Sequence, residues 1–179
     1  MSTTTPITIS DIKFIKPAIL ASSLNDPLTA STTAVIDVRD NDYIGGHIKG
    51  SQHVPINQFD ARLPELLRVN KDKQRVVFHC MLSQQRGPKA ALTYARAKQS
   101  AAEKEMKEKL EKEVAEEVEA KDEEKEKRDG WEDVDVSDRA AGRIDKQEIC
   151  VLEGGFENWQ AFYSGDVRLT EGYVKDLWE

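Results

Sequence analysis

Apolar and amphipathic stretches alternate along most of the chain. Near-continuous apolar runs predict three buried β-strands, at 34–39, 75–79 and 148–152. Amphipathic stretches predict helices at 59–67, 87–98 and 156–162. Strands that alternate with helices indicate an α/β fold with a largely parallel sheet, and ligands bind such sheets at the carboxyl ends of the strands.

One segment, residues 101–129, departs from this pattern. It holds 13 acidic and 8 basic residues, so its net charge of −5 accounts for most of the −7 of the whole chain. Glu residues precede Lys or Arg residues by four positions repeatedly, which favours a helix, and a thin apolar stripe is formed by Met106, Leu110, Val114 and Val118. The segment is either a helix that docks a partner or a solvated charged insertion, and charge runs of this kind favour the second interpretation.

The overall composition excludes several classes of protein. A length of 179 residues suits one domain, and a pI near 5.1 argues against a nucleic-acid binder. No apolar run approaches the ~20 residues that a membrane span needs, and residues 1–6 do not resemble a signal peptide. We therefore expect a cytoplasmic protein, with the nucleus as a second candidate compartment. Two cysteines and three histidines without ligand spacing predict neither a disulfide framework nor a metal site.

The chemistry of the chain is concentrated in residues 76–89. An apolar strand ends at His79-Cys80, Arg86 follows after five intervening residues, and Gly87-Pro88 opens a helix. The backbone amides of such a strand–loop–helix turn form an anion site, and the helix dipole with Arg86 would stabilise a Cys80 thiolate. The segment thus offers a nucleophile, an oxyanion cradle and a fixed cation. The competing interpretation, an inert buried cysteine beside a surface arginine, is disfavoured by this context.

Three sets of residues resemble the rhodanese-like proteins. Val35 to Arg39 followed by Gly45 to Gly50 resembles the first signature of that fold, and Val151 to Trp159 resembles the second. The segment from His79 to Pro88 resembles the active loop of the cell-division-cycle dual-specificity phosphatases and eukaryotic arsenate reductases. The resemblance is strongest to small, stand-alone fungal members, and it does not cover the charged segment.

The resemblance implies a rhodanese-like α/β fold with a five-stranded parallel sheet flanked by helices, into which the charged segment, helical by its own Glu–Lys spacing, is inserted. The rhodanese-like catalytic domain would comprise residues 12–98 and 146–179, the insertion residues 99–145, and a flexible N-terminus residues 1–11. It also implies a phosphocysteine mechanism in which Cys80 attacks phosphorus and Arg86 binds the oxygens. The loop amides would bind the remaining oxygens, with substrate-binding positions at Met81, Leu82, Ser83, Gln84 and Gln85. Related sulfurtransferases have a loop one residue shorter, so the spacing here favours phosphate or arsenate over sulfane sulfur.

The chain also departs from these phosphatases in two ways. They carry acidic residues inside the loop, whereas the matching positions here are Met81 and Gln85, so no loop residue can act as a general acid. They also carry a second cysteine that can trap an oxidised nucleophile, whereas the matching residue here is Val38.

Three further residues are predicted to support the site. Asp37 and Arg39 end a strand beside it, where a structural anchor is a more frequent role than electrostatic orientation of the loop. His79 more often holds loop backbone than tunes a cysteine. Cys150 lies in an apolar run, which favours a core position over a resolving role.

From these residues and this resemblance we expect one of three alternative functions. The first is a cysteine-dependent phosphatase of phosphotyrosine-like or aryl phosphates, which needs no cofactor. The second is an arsenate reductase with glutathione and glutaredoxin as co-substrates. The third is a non-catalytic anion-binding module that recruits partners through residues 101–129. The expected binding partners are accordingly a phosphorylated protein or a small oxyanion, without nucleic acid or membrane.

Overall fold

The structure, a computed structural model, describes residues 5–123 and 147–178. The strands are β1 (Lys13–Ile15), β2 (Thr33–Asp37), β3 (His47–Ile48), β4 (Gln52–His53), β5 (Arg75–His79), β6 (Glu148–Leu152) and β7 (Thr170–Glu171). The helices are α1 (Pro17–Asn25), α2 (Pro27–Thr32), α3 (Phe59–Val69), α4 (Arg86–Glu123) and α5 (Gly155–Tyr163), with short 3-10 turns at Ile9–Asp11, Ile56–Gln58 and Lys175–Leu177.

Five strands form one parallel sheet in the order β1-β6-β5-β2-β4. This confirms the predicted α/β rhodanese fold with a five-stranded parallel sheet. The remaining two strands, β3 and β7, form a small antiparallel pair. Strand β5 lies at the centre of the five, so the loop that follows it opens at the middle of the sheet's carboxyl edge.

Hydrophobic clusters cover both faces of this sheet. Side chains of α3 and the beginning of α4 pack on one face, and side chains of α1 and α5 pack on the other. Strand β5 shows the alternation clearly, because Val76 and Phe78 belong to the first cluster and Val77 to the second. Double coverage explains why the three predicted strands appear in the sequence as continuous apolar runs.

Helix α4 is longer than the helix predicted over 87–98. It begins at Arg86 and continues through Lys98 to Glu123, because no Gly or Pro interrupts the chain between Pro88 and Gly130. The charged insertion therefore begins as a continuation of the active-loop helix, and residues 124–145 of it lie outside the described residues. The chain divides into two units, residues 1–97 with 146–179 and residues 98–145.

Two local features add detail to the predicted elements. Part of the predicted flexible N-terminus has a defined place: Thr8 and Asp11 form a capping box, and the carbonyl oxygen of Ile7 accepts a 2.9 Å bond from Arg96. Phe162 is 71% exposed, because the buried stripe of α5 follows Phe156, Trp159 and Tyr163 at helical spacing instead. None of the helices in the described ranges combines the length and apolar character needed to span a bilayer.

Candidate active site

The loop from Cys80 to Gln85 connects the carboxyl end of β5 to the first turn of α4. It encloses a pocket of about 240 Å³, which suits a single oxyanion group and is small for a drug-sized ligand. Six of the seven residues from 80 to 86 line it: Cys80, Met81, Leu82, Gln84, Gln85 and Arg86. The structure thus brings together the predicted nucleophile, the predicted cation and four of the five predicted substrate-binding positions.

The fifth position, Ser83, does not line the pocket but bonds to the nucleophile. Its amide N–H donates to Cys80 Sγ at 3.2 Å, and the Ser83 side chain is buried with no hydrogen-bond partner for its hydroxyl. Its φ of 53° lies in the left-handed region, an uncommon conformation for a residue other than glycine that costs of order 1 kcal/mol. This turn directs a backbone donor at the sulfur, where it stabilises negative charge on the thiolate.

Arg86 contacts two carboxylates that the sequence did not single out. Its Nη1 lies 2.7 Å from Asp42 Oδ1 and 3.2 Å from Asp40 Oδ2, and its Nη2 donates to Asp42 Oδ2. The hydrogen bond from Arg86 lowers the pKa of Asp42 to about 2, and the same bond raises the pKa of Arg86. Asp42 is therefore ionised at neutral pH. The available sequence signal was its position just past a strand that neighbours β5, since such strands end at the same sheet edge.

The predicted supporting residues Asp37, Arg39 and His79 form a fully buried network. Arg39 Nε lies 3.0 and 2.9 Å from the two oxygens of Asp37, and Arg39 Nη2 donates to Asp37 Oδ2 at 2.7 Å. Arg39 also donates to the carbonyl oxygens of Gly46, at 2.9 Å, and Asp42, at 3.5 Å. Arg39 thus bonds to the backbone of the loop between β2 and β3, so an anchoring role fits this network better than direct electrostatic action on the Cys80 thiol.

His79 belongs to the same network and lies beside the nucleophile in sequence. Its Nδ1 lies 3.3 Å from the carbonyl oxygen of Cys80, and its Nε2 lies 3.6 Å from Asp37 Oδ2. Burial lowers the pKa of His79, with Asp37 opposing and Arg39 reinforcing that shift. A neutral imidazole held against loop backbone agrees with the structural role that the sequence favoured.

A second contribution that sequence reasoning missed comes from the start of α5. The amides of Phe156 and Glu157 each donate a 3.0 Å bond, to the carbonyl oxygens of Cys80 and Met81 respectively. The backbones can approach this closely because Gly155 lacks a side chain: a Cβ there would lie 2.3 Å from the Met81 carbonyl oxygen. Gly155, which lies within the second signature segment, therefore admits the loop against α5.

No carboxylic acid lines the pocket among the described residues. Asp42 is bonded to Arg86, and its lowered pKa makes it a poor proton donor at neutral pH. Cys150 is buried in β6, where burial raises the pKa of its thiol to about 11. The described residues include no group of three His, Cys, Asp or Glu side chains placed to hold a metal ion.

Comparison with known proteins shows the family to which the chain belongs. The profile of the Rhodanese-like domain matches residues 20–162. The chain is 30% identical to the CDC25-like phosphatase YCH1 of Saccharomyces cerevisiae, over 95% of this chain and 96% of that protein. It is 51% identical to Arsenate reductase 2.1 of Oryza sativa, but over only 35% of this chain and 39% of that protein.

A solved structure extends the agreement to three dimensions. A yeast protein tyrosine phosphatase of the Rhodanese family superposes with a TM-score of 0.59 at 28% identity, covering 97% of this chain and 99% of the other. The similarity therefore extends over nearly the whole length of both chains. The chain is a member of the rhodanese-like domain family, in the branch whose relatives are named as Cdc25-like phosphatases and arsenate reductases.

Proposed function

We propose that this protein is a cysteine-dependent phosphatase that hydrolyses phosphotyrosine-like or aryl phosphates through a phosphocysteine intermediate. The observation that carries the proposal is that Cys80, the loop and Arg86 surround one pocket at the carboxyl end of the central strand. A pocket of this kind supplies positioning and charge stabilisation, which are the main requirements of phosphoryl transfer.

The proposed reaction has two displacement steps at phosphorus. The Cys80 thiolate attacks phosphorus, an S–P bond forms, and the bond from phosphorus to the aryl oxygen breaks. A water molecule then attacks the phosphocysteine, inorganic phosphate leaves, and the thiolate is restored. Arg86 would bind two phosphoryl oxygens by paired hydrogen bonds.

The lining of the pocket also indicates which class of leaving group the substrate should carry. Because no carboxylic acid lines it and Asp42 is ionised, the departing oxygen receives no proton from the loop. Aryl oxides depart without one far more readily than alkoxides do. We therefore expect the enzyme to prefer aryl phosphates over phosphoserine and phosphothreonine.

Hydrolysis of p-nitrophenyl phosphate tests the proposal. We expect activity in the wild type, none in Cys80→Ser, and a loss of about 10²–10³-fold in kcat/KM for Arg86→Lys, because lysine cannot make the paired bonds. Cys150→Ala, which removes the other cysteine, is the matched control and should retain activity. Wild-type protein without activity on any aryl phosphate would exclude this function.

The same missing acid also favours a second candidate, arsenate reduction. In that reaction the Cys80 thiolate would attack arsenic and displace water, which forms an S–As bond. Glutathione would then attack the Cys80 sulfur, so that a disulfide between Cys80 and glutathione forms, the S–As bond breaks and arsenite leaves with the two electrons that the two thiols lose. Glutaredoxin with further glutathione would reduce this disulfide and restore Cys80. No aryl or alkyl leaving group has to be protonated. The local identity of 51% to a protein named Arsenate reductase 2.1 adds to the case.

One paired experiment separates the two candidates. A single preparation is assayed for p-nitrophenyl phosphate hydrolysis and for arsenite production with glutathione and glutaredoxin, each beside Cys80→Ser. Hydrolysis that greatly exceeds arsenite production at equal enzyme concentration supports the phosphatase. Arsenite production without hydrolysis assigns the reductase instead.

A further inference from the structure

Arg86 leaves one specific edge of its guanidinium available. A guanidinium carries five N–H donors in a fixed plane. Asp42 binds end-on to Nη1 and Nη2, and Asp40 takes a further bond from Nη1. Among the described residues, no acceptor is bonded to Nε or to the second hydrogen of Nη2. These two donors point from the same edge and form a fork that matches two oxygens of a tetrahedral anion.

We propose that Asp42, assisted by Asp40, is a positioning residue that fixes Arg86 with its Nε–Nη2 edge presented to the substrate oxyanion. The identity of the substrate rests on the function proposed above, but the binding of a tetrahedral oxyanion does not. Asp42 itself touches no substrate in this arrangement and acts through Arg86.

The carboxylate of Asp42 is itself rigidly held. Its Oδ1 accepts a 2.9 Å bond from the amide of Asp40, and its carbonyl oxygen is 3.5 Å from Arg39 Nη1. Arg39 is in turn paired with Asp37 and fully buried. The buried network therefore extends through Asp42 to the guanidinium, which limits the freedom of an otherwise flexible side chain before the substrate arrives.

The placement of the pocket argues against the alternative that Asp42 competes with the substrate. Arg86 lines the pocket, whereas Asp40 and Asp42 do not. The carboxylates occupy Nη1 and the outer side of Nη2, whereas the Nε–Nη2 edge carries no acceptor among the described residues, so an oxyanion can bind that edge while Asp42 stays in place. A competing carboxylate would have to leave, and its removal would then strengthen oxyanion binding.

These two roles predict opposite results for one substitution. Binding of tungstate, a tetrahedral oxyanion that undergoes no turnover, is measured by calorimetry for the wild type and for Asp42→Asn. We expect Asp42→Asn to bind at least 10-fold more weakly, and Asp40→Asn about 2–3-fold more weakly, because Asp40 makes a single, longer contact. Asp72→Asn makes the same chemical change at an exposed residue and should bind as the wild type does.

Arg86→Lys shows whether the effect passes through the guanidinium. In that background Asp42→Asn should weaken tungstate binding by less than 3-fold, since lysine has no fork to orient. An equal loss in both backgrounds would indicate general damage to the loop and would overturn the proposal. So would unchanged or tighter binding by Asp42→Asn, or a wild type that binds no tungstate.

The measurement also separates this inference from the proposed function. Tungstate binding needs no catalysis. A wild type that binds tungstate but hydrolyses no aryl phosphate would therefore exclude the phosphatase function without contradicting the role of Asp42. Conversely, the wild type could hydrolyse p-nitrophenyl phosphate and Asp42→Asn could keep the same kcat, KM and tungstate affinity. That result would exclude the role of Asp42 alone.

Discussion

The amide of Phe156 donates a 3.0 Å hydrogen bond to the carbonyl oxygen of Cys80, so the first turn of α5 is bonded to the residue that carries the nucleophile. The residue directly before Phe156 is Gly155, whose φ of 61° is left-handed. The Cβ of any other residue there would lie 2.6 Å from the Cys80 carbonyl oxygen, well inside van der Waals contact. The geometry of the active loop therefore depends on the absence of a side chain at position 155.

We expect Gly155→Ala to lower the free energy of unfolding by about 2–4 kcal/mol and to reduce oxyanion binding. The left-handed backbone costs an alanine about 1–2 kcal/mol, and displacement of the loop carbonyls adds to this cost. Chemical denaturation and tungstate calorimetry measure the two effects. Gly165→Ala is the control, because nothing lies within 4 Å of its Cβ position. Equal stability and equal binding for both variants would show that the close approach is unimportant.

Cys150 should be chemically inert in the folded protein. It is fully buried, and burial raises the pKa of its thiol to about 11. Iodoacetamide at pH 8 followed by mass spectrometry should modify Cys80 alone, and Cys150 should react only in denaturant. Cys150 pairs with Val77, three residues before Cys80, so the two cysteines are about 10 Å apart along the strands and cannot form a disulfide. A Cys80–Cys150 disulfide after peroxide treatment would contradict this assignment.

Val38→Cys should create a thiol that protects the nucleophile. Asp37 pairs with His79 in register, so the next residues, Val38 and Cys80, lie opposite each other, and both belong to the same hydrophobic cluster. Neighbouring strands are about 4.8 Å apart, within the Cα spacing that a disulfide accepts. After peroxide treatment, dithiothreitol should restore the activity or tungstate binding of Val38→Cys to a greater extent than that of the wild type. Val38→Ala should behave as the wild type, and recovery in that variant too would exclude the disulfide as the cause.

The stability of the protein should fall in mild acid because of His79. Burial lowers the pKa of this side chain in the folded state, whereas in the unfolded chain it titrates near pH 6.5. Below that pH the unfolded chain binds a proton that the folded protein does not, so the free energy of unfolding decreases as pH falls, by at most about 1.4 kcal/mol per pH unit. Above about pH 7 both states are neutral at this position, and it contributes no pH dependence.

Two measurements check this prediction. Denaturant unfolding at pH 5.5 and 7.5 should give the lower free energy at pH 5.5, with a smaller difference for His79→Asn. Should that variant not fold, NMR titration of the wild type serves instead: the imidazole resonances of His79 should stay constant from pH 8 to 5.5. A midpoint near 6.5 would show that burial does not keep this ring neutral.

Three strands of the parallel sheet, the reactive loop and the family could be predicted from the sequence. Strands β2, β5 and β6 are apolar runs, and Cys80 and Arg86 are separated by a fixed interval within one loop. Hydrophobic periodicity and loop spacing involve only residues that are close in sequence, so they can be recognised without knowledge of distant contacts. The predicted helix over 87–98 is shorter than α4. The composition changes near residue 98 in a way that resembles a helix end, but no residue that breaks a helix is present there.

The contacts that hold and orient the loop form between segments that are distant in sequence, so they are seen only in the folded protein. Asp42 meets Arg86 across 44 positions of sequence, and the amides of α5 reach the carbonyl oxygens of the loop from more than 70 positions away. These contacts arise because parallel strands bring their carboxyl ends to one edge of the sheet, where residues of different segments become neighbours. No local pattern in the chain specifies which carboxylate will face a given arginine, since that depends on strand order and register. The nucleophile was therefore visible in the sequence, and the groups that position its partner arginine became visible only in the fold.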